Sequence, residues 1–305
     1  MSKRALAPLL LFAIACTTQP APTPAPVAAP TVAVAMNTTP AAAVAAAPAA
    51  PPCDTGMPLM NASLWMQSAA EYRAAAQQTY NVARRMLDAA LADKTWSAEP
   101  TDPDNDGGQP TAIILDLDET AWSNMPFEAR MIRQGKTYEA KEWKQWVSES
   151  AATAVPGAAD FLAYAHSRGV TPFYVSNRDL DEKPAGRRNL EKLGYPLKSE
   201  EDTLLLRGER PEWTSDKTSR RTFIASRYRV LLLLGDDLND FTNAREKTPA
   251  ERDAIINDTL GLWGTKWLIV PNPIYGSWER QFTADAKTGC DQLKQKLEGL
   301  QEKRP

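Results

Sequence analysis

Five short apolar runs constrain this chain more than any other feature: Ala112–Leu115, Pro172–Val175, Thr203–Leu206, Val230–Leu234 and Trp267–Val270. None contains a charged residue. A strand with one wet face alternates apolar and polar residues, whereas a run that is apolar throughout must be covered on both faces. Between and after the runs lie helical patterns at Ala158–Ser167, Arg187–Leu193, Ser215–Ser226 and Gln281–Leu297. This alternation predicts an α/β fold of three layers, with a parallel sheet between helices. In doubly wound sheets ligands bind beyond the carboxyl ends of the strands, so chemistry is expected there.

The first run is followed by Asp116-Leu117-Asp118-Glu119-Thr120. Two carboxylates one residue apart can converge on one site. One attacks phosphorus as a nucleophile; the other gives a proton to the leaving oxygen and then activates water. The fourth run is followed by Gly235-Asp236-Asp237-Leu238-Asn239-Asp240. A single acidic turn is an ordinary solvated loop or helix cap. Two of them at the ends of different buried strands point to a hard, oxygen-ligated cation, for which Asp116 and Asp236 are suited. The second run ends in Ser176-Asn177-Arg178, offering a hydroxyl to a phosphoryl oxygen. Lys217 opens a helical stretch and can neutralise phosphoryl charge, although a lysine there is more often solvated. The order of the four pieces gives it weight.

That order, Asp116-x-Asp118-x-Thr120, then Ser176, then Lys217, then Gly235-Asp236-x-x-x-Asp240, resembles the four-motif signature of the haloacid dehalogenase superfamily. The segments Leu64-Trp65-Met66-Gln67, Val155-Pro156-Gly157, Tyr174-Val175-Ser176-Asn177-Arg178 and Pro271-Asn272-Pro273-Ile274-Tyr275-Gly276 narrow the likeness. They resemble the class C bacterial acid phosphatases, surface lipoproteins that include 5′-nucleotidases. The resemblance implies a haloacid dehalogenase-like domain over 59–300 with a small helical cap insertion at about 121–155, in which Trp143 and Trp146 pack. It implies Asp116 as nucleophile and Asp118 as general acid and base. Mg²⁺ would be held by Asp116, Asp236 and the backbone carbonyl of Asp118, supported by Asp240. Ser176 and Lys217 would hold the phosphoryl group, and Phe127 and Tyr275 would flank the leaving group. Ser176 stands where Thr is common, Phe127 where Tyr is common and Arg130 where Trp is common, so the reaction is better defined than the substrate.

The ends of the chain carry different information. Lys3 and Arg4 precede the apolar stretch Ala5–Ala15, which is the pattern of an export signal and is too short to span a bilayer. The run Ala13-Ile14-Ala15-Cys16 resembles a bacterial lipobox, which implies lipidation of Cys16, a membrane anchor and an address in the cell envelope, at the outer membrane. Residues 16–58 are dominated by Ala and Pro and predict an extended tether. From Leu64 to Leu91 the residues Trp65, Ala69, Tyr72, Ala76, Tyr80, Ala83 and Leu87 recur at spacings of three and four, predicting one helix packed on the domain. Cys53 and Cys290 flank the domain, and an oxidising compartment favours a bridge between them over two free thiols.

Other chemistries have little to work with. The net charge of −3, without a basic stripe, argues against a nucleic-acid polymer as partner. His166 is the single histidine, which leaves no imidazole zinc site and no good haem ligand pair. Asp102-Pro103-Asp104-Asn105-Asp106-Gly107 mimics half a calcium loop, yet its twelfth position is Ile113. The expected function is Mg²⁺-dependent hydrolysis of small-molecule phosphate monoesters, nucleotides among them. The competing readings are a phosphotransferase on the same site and a surface lipoprotein that binds haem or a host ligand. A homodimer is compatible with either class.

Overall fold

The computed structural model describes residues 53–99, 108–283 and 285–302. The export signal, Cys16, the tether as far as residue 52 and the calcium-like loop at 102–107 lie outside the described residues. Two helices come first, α1 (Met60–Ser68) and α2 (Ala70–Ala92). The single helix expected from Leu64 to Leu91 is broken at Ala69, whose backbone is extended at φ −72° and ψ 133°. Apolar spacing runs through the break, because Trp65 and Ala69 pack in a small cluster with Tyr72 while α2 turns to the main core.

Strand β1 (Thr111–Leu115) is followed by an insertion of β2 (Trp122–Ser123), α3 (Met125–Arg133), α4 (Ala140–Glu149) and β3 (Thr153–Ala154). Its two strands pair antiparallel, Trp122 against Ala154. The chain then alternates α5 (Ala158–Ser167), β4 (Thr171–Ser176), α6 (Lys183–Lys192), β5 (Leu204–Leu206), α7 (Thr218–Ala225) and β6 (Arg229–Gly235). It closes with α8 (Pro249–Asp258), β7 (Trp267–Ile269), α9 (Arg280–Thr283) and α10 (Gly289–Glu298).

Five strands form one parallel sheet in the order β5-β4-β1-β6-β7. The chain leaves β1 for β4 and β5, then returns to pair β6 on the other side of β1, so the order reverses at β1. Side chains alternate across the sheet as a strand requires. Ile113 and Leu115 join α2 and α5 in one apolar layer, while Ala112 and Ile114 join Ile224 of α7 in the other. Between Ala112 and Ile113 the register slips past one extra residue of β6, Leu231. This bulge is why Leu231 and Leu232, though consecutive, share the first layer.

Several helix limits differ from expectation for local reasons. Helix α6 begins at Lys183, after a reciprocal cap between Asp179 and Glu182, rather than at Arg187. The last helix, expected as one piece from Gln281, is two, and Thr288 and Asp291 cap the second. Helix α8 has no buried residue and so no apolar stripe to read; its Thr248–Glu251 capping box is the signal that was there. Residues 53–58, placed at the end of the tether, belong to the folded body. The Thr55 amide donates to Gly135 O at 3.1 Å, and Cys53 is disulfide-bonded to Cys290 with Cα atoms 5.9 Å apart. No helix of the described residues is long and apolar enough to cross a membrane.

Candidate active site

The site forms where the order of the sheet reverses. Beyond β1 the chain presents Asp116, whose amide donates to Leu234 O of β6 at 3.0 Å, so the ends of these strands are tied together. Beyond β6 come Asp236 and Asp240. One carboxylate oxygen from each of Asp116, Asp236 and Asp240 lies within 4.8 Å of the others.

Each carboxylate is aimed by a neighbour. Thr120 Oγ1 donates to Asp236 Oδ1 at 2.9 Å, and Asn272 Nδ2 donates to Asp236 Oδ2 at 2.8 Å. Asp240 turns back on its own loop and accepts the amides of Asp236 at 3.2 Å and Asp237 at 3.1 Å. Its other oxygen meets Lys217 Nζ at 2.6 Å, and Lys217 also pairs with Asp116. Burial alone would discharge Lys217, but Asp116 and Asp240 outweigh it and hold the ammonium charged. Lys217, at the start of α7, is therefore a buried site residue and not a solvated one.

These carboxylates carry more negative charge than Lys217 cancels. Burial, opposed by Lys217 and reinforced by Asp240 and Asp118, pushes the Asp116 carboxyl up to about 7. Burial and the charges of Asp116 and Asp240 push Asp236 well above the usual range. An all-oxygen trio with surplus negative charge is the donor set of a hard divalent cation. The buried Tyr72 hydroxyl, which feels the charges of Glu119 and Asp236, has no hydrogen-bond partner among the described residues. An orphaned donor in the field of Asp236 fits a site that an ion and its waters would complete.

Asp118 stands apart from the trio. Arg178 grips it with Nε 3.1 Å from both carboxylate oxygens and Nη2 2.7 Å from Oδ1. Trp122 Nε1 and Asn124 Nδ2 each donate to the same Oδ1 at 2.8 Å. Burial works to raise the Asp118 carboxyl, but the charge of Arg178 and these bonds overcome it and hold it below the usual range. Ser176, fully buried at the end of β4, donates to Asp118 Oδ2 at 3.4 Å and accepts the Arg178 amide at 3.2 Å. Arg220 of α7 locks that strand end by donating to Ser176 O and to Asn177 Oδ1, both at 2.6 Å.

Asp116, Asp118, Arg178, Lys217, Asp236 and Asp240 open into one cleft of about 560 Å³, lined also by Tyr138, Trp143 and Tyr275, with Ser176 buried behind its wall. Phe127, expected beside the leaving group, is 1% exposed and lines the cleft edge-on to Trp143 at 5.2 Å. Tyr275 is half-buried at the rim, with its hydroxyl on Glu119. Two residues escaped the sequence reading. Glu119 is wholly buried at φ 60°, a left-handed conformation that places its carboxylate under Asn124, whose amide donates to it at 2.6 Å. Arg178 is the second: its charge two residues after the Ser176 hydroxyl is the hint the sequence offers, but its partner lies sixty residues away.

The profile of the HAD superfamily, subfamily IIIB (acid phosphatase), matches residues 30–278. The chain is similar to the class C acid phosphatase of Bacillus anthracis, at 33% identity and a TM-score of 0.73, covering 82% of this chain and 100% of that one. The tungstate-bound structure of the Bacillus anthracis enzyme gives 35% identity, a TM-score of 0.72, and coverage of 82% and 99%. A profile match over most of the chain, and full-length likeness to a solved phosphatase, agree with three convergent carboxylates and a buried lysine at the reversal of a parallel sheet: this chain belongs to the acid phosphatases of the HAD superfamily, subfamily IIIB, and is a phosphomonoesterase.

Proposed function

We propose that the cleft hydrolyses phosphate monoesters, 5′-nucleotides among them, with Mg²⁺ as its cation and an aspartyl phosphate on Asp116 as its intermediate. The observation that carries this reading is the meeting of Asp116, Asp236, Asp240 and Lys217 at one strand end, with Asp118 two residues on and separately held. An Asp116 oxygen attacks phosphorus in line as the bond to the leaving oxygen breaks. Asp118 supplies the proton that the leaving oxygen needs. In the second half Asp118 takes a proton from water, whose oxygen attacks phosphorus and frees Asp116. Lys217 and Ser176 hold phosphoryl oxygens through this cycle. Mg²⁺, held by Asp116, Asp236 and the Asp118 carbonyl, would neutralise charge on the transferring group. Aromatic rings on the cleft wall, Tyr138, Trp143 and Tyr275, favour a flat leaving group such as a nucleoside.

The test is turnover of nucleoside monophosphates, an aryl phosphate and nicotinamide mononucleotide, with Mg²⁺ and after chelation, in wild type and Asp116→Asn. Activity should require the cation and fall by about 10³-fold or more in the variant. Hydrolysis that persists in Asp116→Asn removes the nucleophile from this scheme. We further propose that the enzyme works at the cell envelope, tethered by a lipid on Cys16. Radioactive fatty acid should label wild type and spare Cys16→Ala; equal label in both rejects the anchor.

A further inference from the structure

Glu128 lies on α3, one residue beyond Phe127, on the wall of the same cleft as Asp116. It is 6% exposed, and its carboxylate has neither a hydrogen-bond nor an ion-pair partner among the described residues. Other buried acids around the cleft are engaged. Asp118 is held by Arg178 and Glu119 by Asn124 and Tyr275, while Glu182 is engaged through one oxygen, by the Asp179 amide at 3.0 Å, and leaves its other oxygen without a partner among the described residues. The cations on Glu128's side of the cleft are committed elsewhere, Lys296 to Glu279 at 2.6 Å and Arg280 to Glu246 at 2.9 Å. The charges that Glu128 meets are those of other acids: Glu279 raises it, and Glu128 in turn raises Glu119.

A carboxylate buried without a partner costs stability, and such a group persists where a ligand completes it. Ionised, it only accepts hydrogen bonds. We infer that Glu128 sets leaving-group specificity by accepting a hydrogen bond from a donor, an amine or a hydroxyl, on the alcohol that hydrolysis releases. The inference rests on the phosphomonoesterase reading and narrows its substrate class to esters whose leaving group carries such a donor. A leaving group without one leaves the buried acceptor unsatisfied and is discriminated against. Burial, and then the charge of Glu279, raises the Glu128 carboxyl to about 7, so assays above that pH present the ionised acceptor.

The experiment compares wild type, Glu128→Leu and Glu128→Gln on three Mg²⁺-supplemented substrates. Para-nitrophenyl phosphate has no donor, a nucleoside monophosphate has neutral hydroxyls, and phosphoethanolamine has an ammonium group. Glu128→Leu should lower kcat/KM about 10- to 100-fold on at least one donor-bearing ester and change the aryl ester by less than about threefold. Glu128→Gln, which still accepts but carries no charge, should retain the hydroxyl ester and lose the ammonium ester, which tells the two sources apart. It also carries the comparison on its own if leucine is not tolerated. Equal effects on all three substrates, or none, overturn the role of Glu128. Failure of wild type to hydrolyse any of the three overturns the phosphatase reading instead.

Discussion

Arg178 does two things to Asp118 at once. Its guanidinium lies over the rings of Trp122 and Trp143, 4.7 and 5.0 Å from their centroids, and from there it fixes both carboxylate oxygens. It also lowers the carboxyl, which makes the protonated acid scarce at neutral pH and, in the proposed scheme, confines proton donation to the acid side. Replacing Arg178 with Met should therefore move the limb of the kcat profile that reports Asp118 to higher pH, with Lys restoring part of the original position. A profile left in place by Arg178→Met would remove Asp118 from the proton transfer. The stability cost has a sign as well. A carboxyl depressed in the folded state stabilises the fold above its unfolded pKa, and that contribution disappears as pH falls through the folded one. Losing the partner of this buried charge should cost about 3–5 kcal/mol at neutral pH and less in acid, measured by urea unfolding.

The turn after β6 shows how an element delivers its acid. A Cβ on Gly235 would stand 2.4 Å from Asp240 Oδ2, so only glycine lets Asp240 fold back over the amides of Asp236 and Asp237. Gly235→Ala should displace Asp240, slacken Lys217 and Asp236, and reduce cation affinity and kcat/KM by about tenfold or more. Calorimetry of Mg²⁺ binding checks this, and unchanged affinity would mean that the turn yields without cost. The elements themselves were unequally legible. Strands buried on both faces announce themselves by composition, so every strand of the main sheet lies within a residue or two of its apolar run. The break at Ala69 was hidden because apolar spacing continues across it, and α8 was hidden because it buries nothing. Asp116 and Asp236 could be paired from sequence because neighbouring strands end beside each other. The grip of Arg178 on Asp118 also joins the ends of neighbouring strands, β4 and β1, but an arginine beside a loop reads as solvated until its partner is seen; the isolation of Glu128 depends on how the insertion sits over the sheet.

For the molecule as a whole, protons and cation compete for the same carboxylates. Folding raises Asp116 from 3.8 to about 7 and Glu128 from 4.5 to about 7, and lifts Asp236 in the same direction. The cation-free native state thus holds protons that the unfolded chain has released, and its stability should fall as pH rises from about 4 to about 7. A divalent cation binds the deprotonated trio, so the gain in Tm on adding Mg²⁺ should grow across that interval. Thermal melts with chelator and with Mg²⁺ at several pH values test this; a gain independent of pH would show that the trio is not the binding site.

The bond between Cys53 and Cys290 has a mechanical consequence. It turns everything between those residues into a covalent ring. Tension applied to the chain ahead of Cys53 passes through two sulfur atoms to the far end of the polypeptide, bypassing α1, the sheet and the catalytic loops. The enzyme can be pulled from that side without being unthreaded.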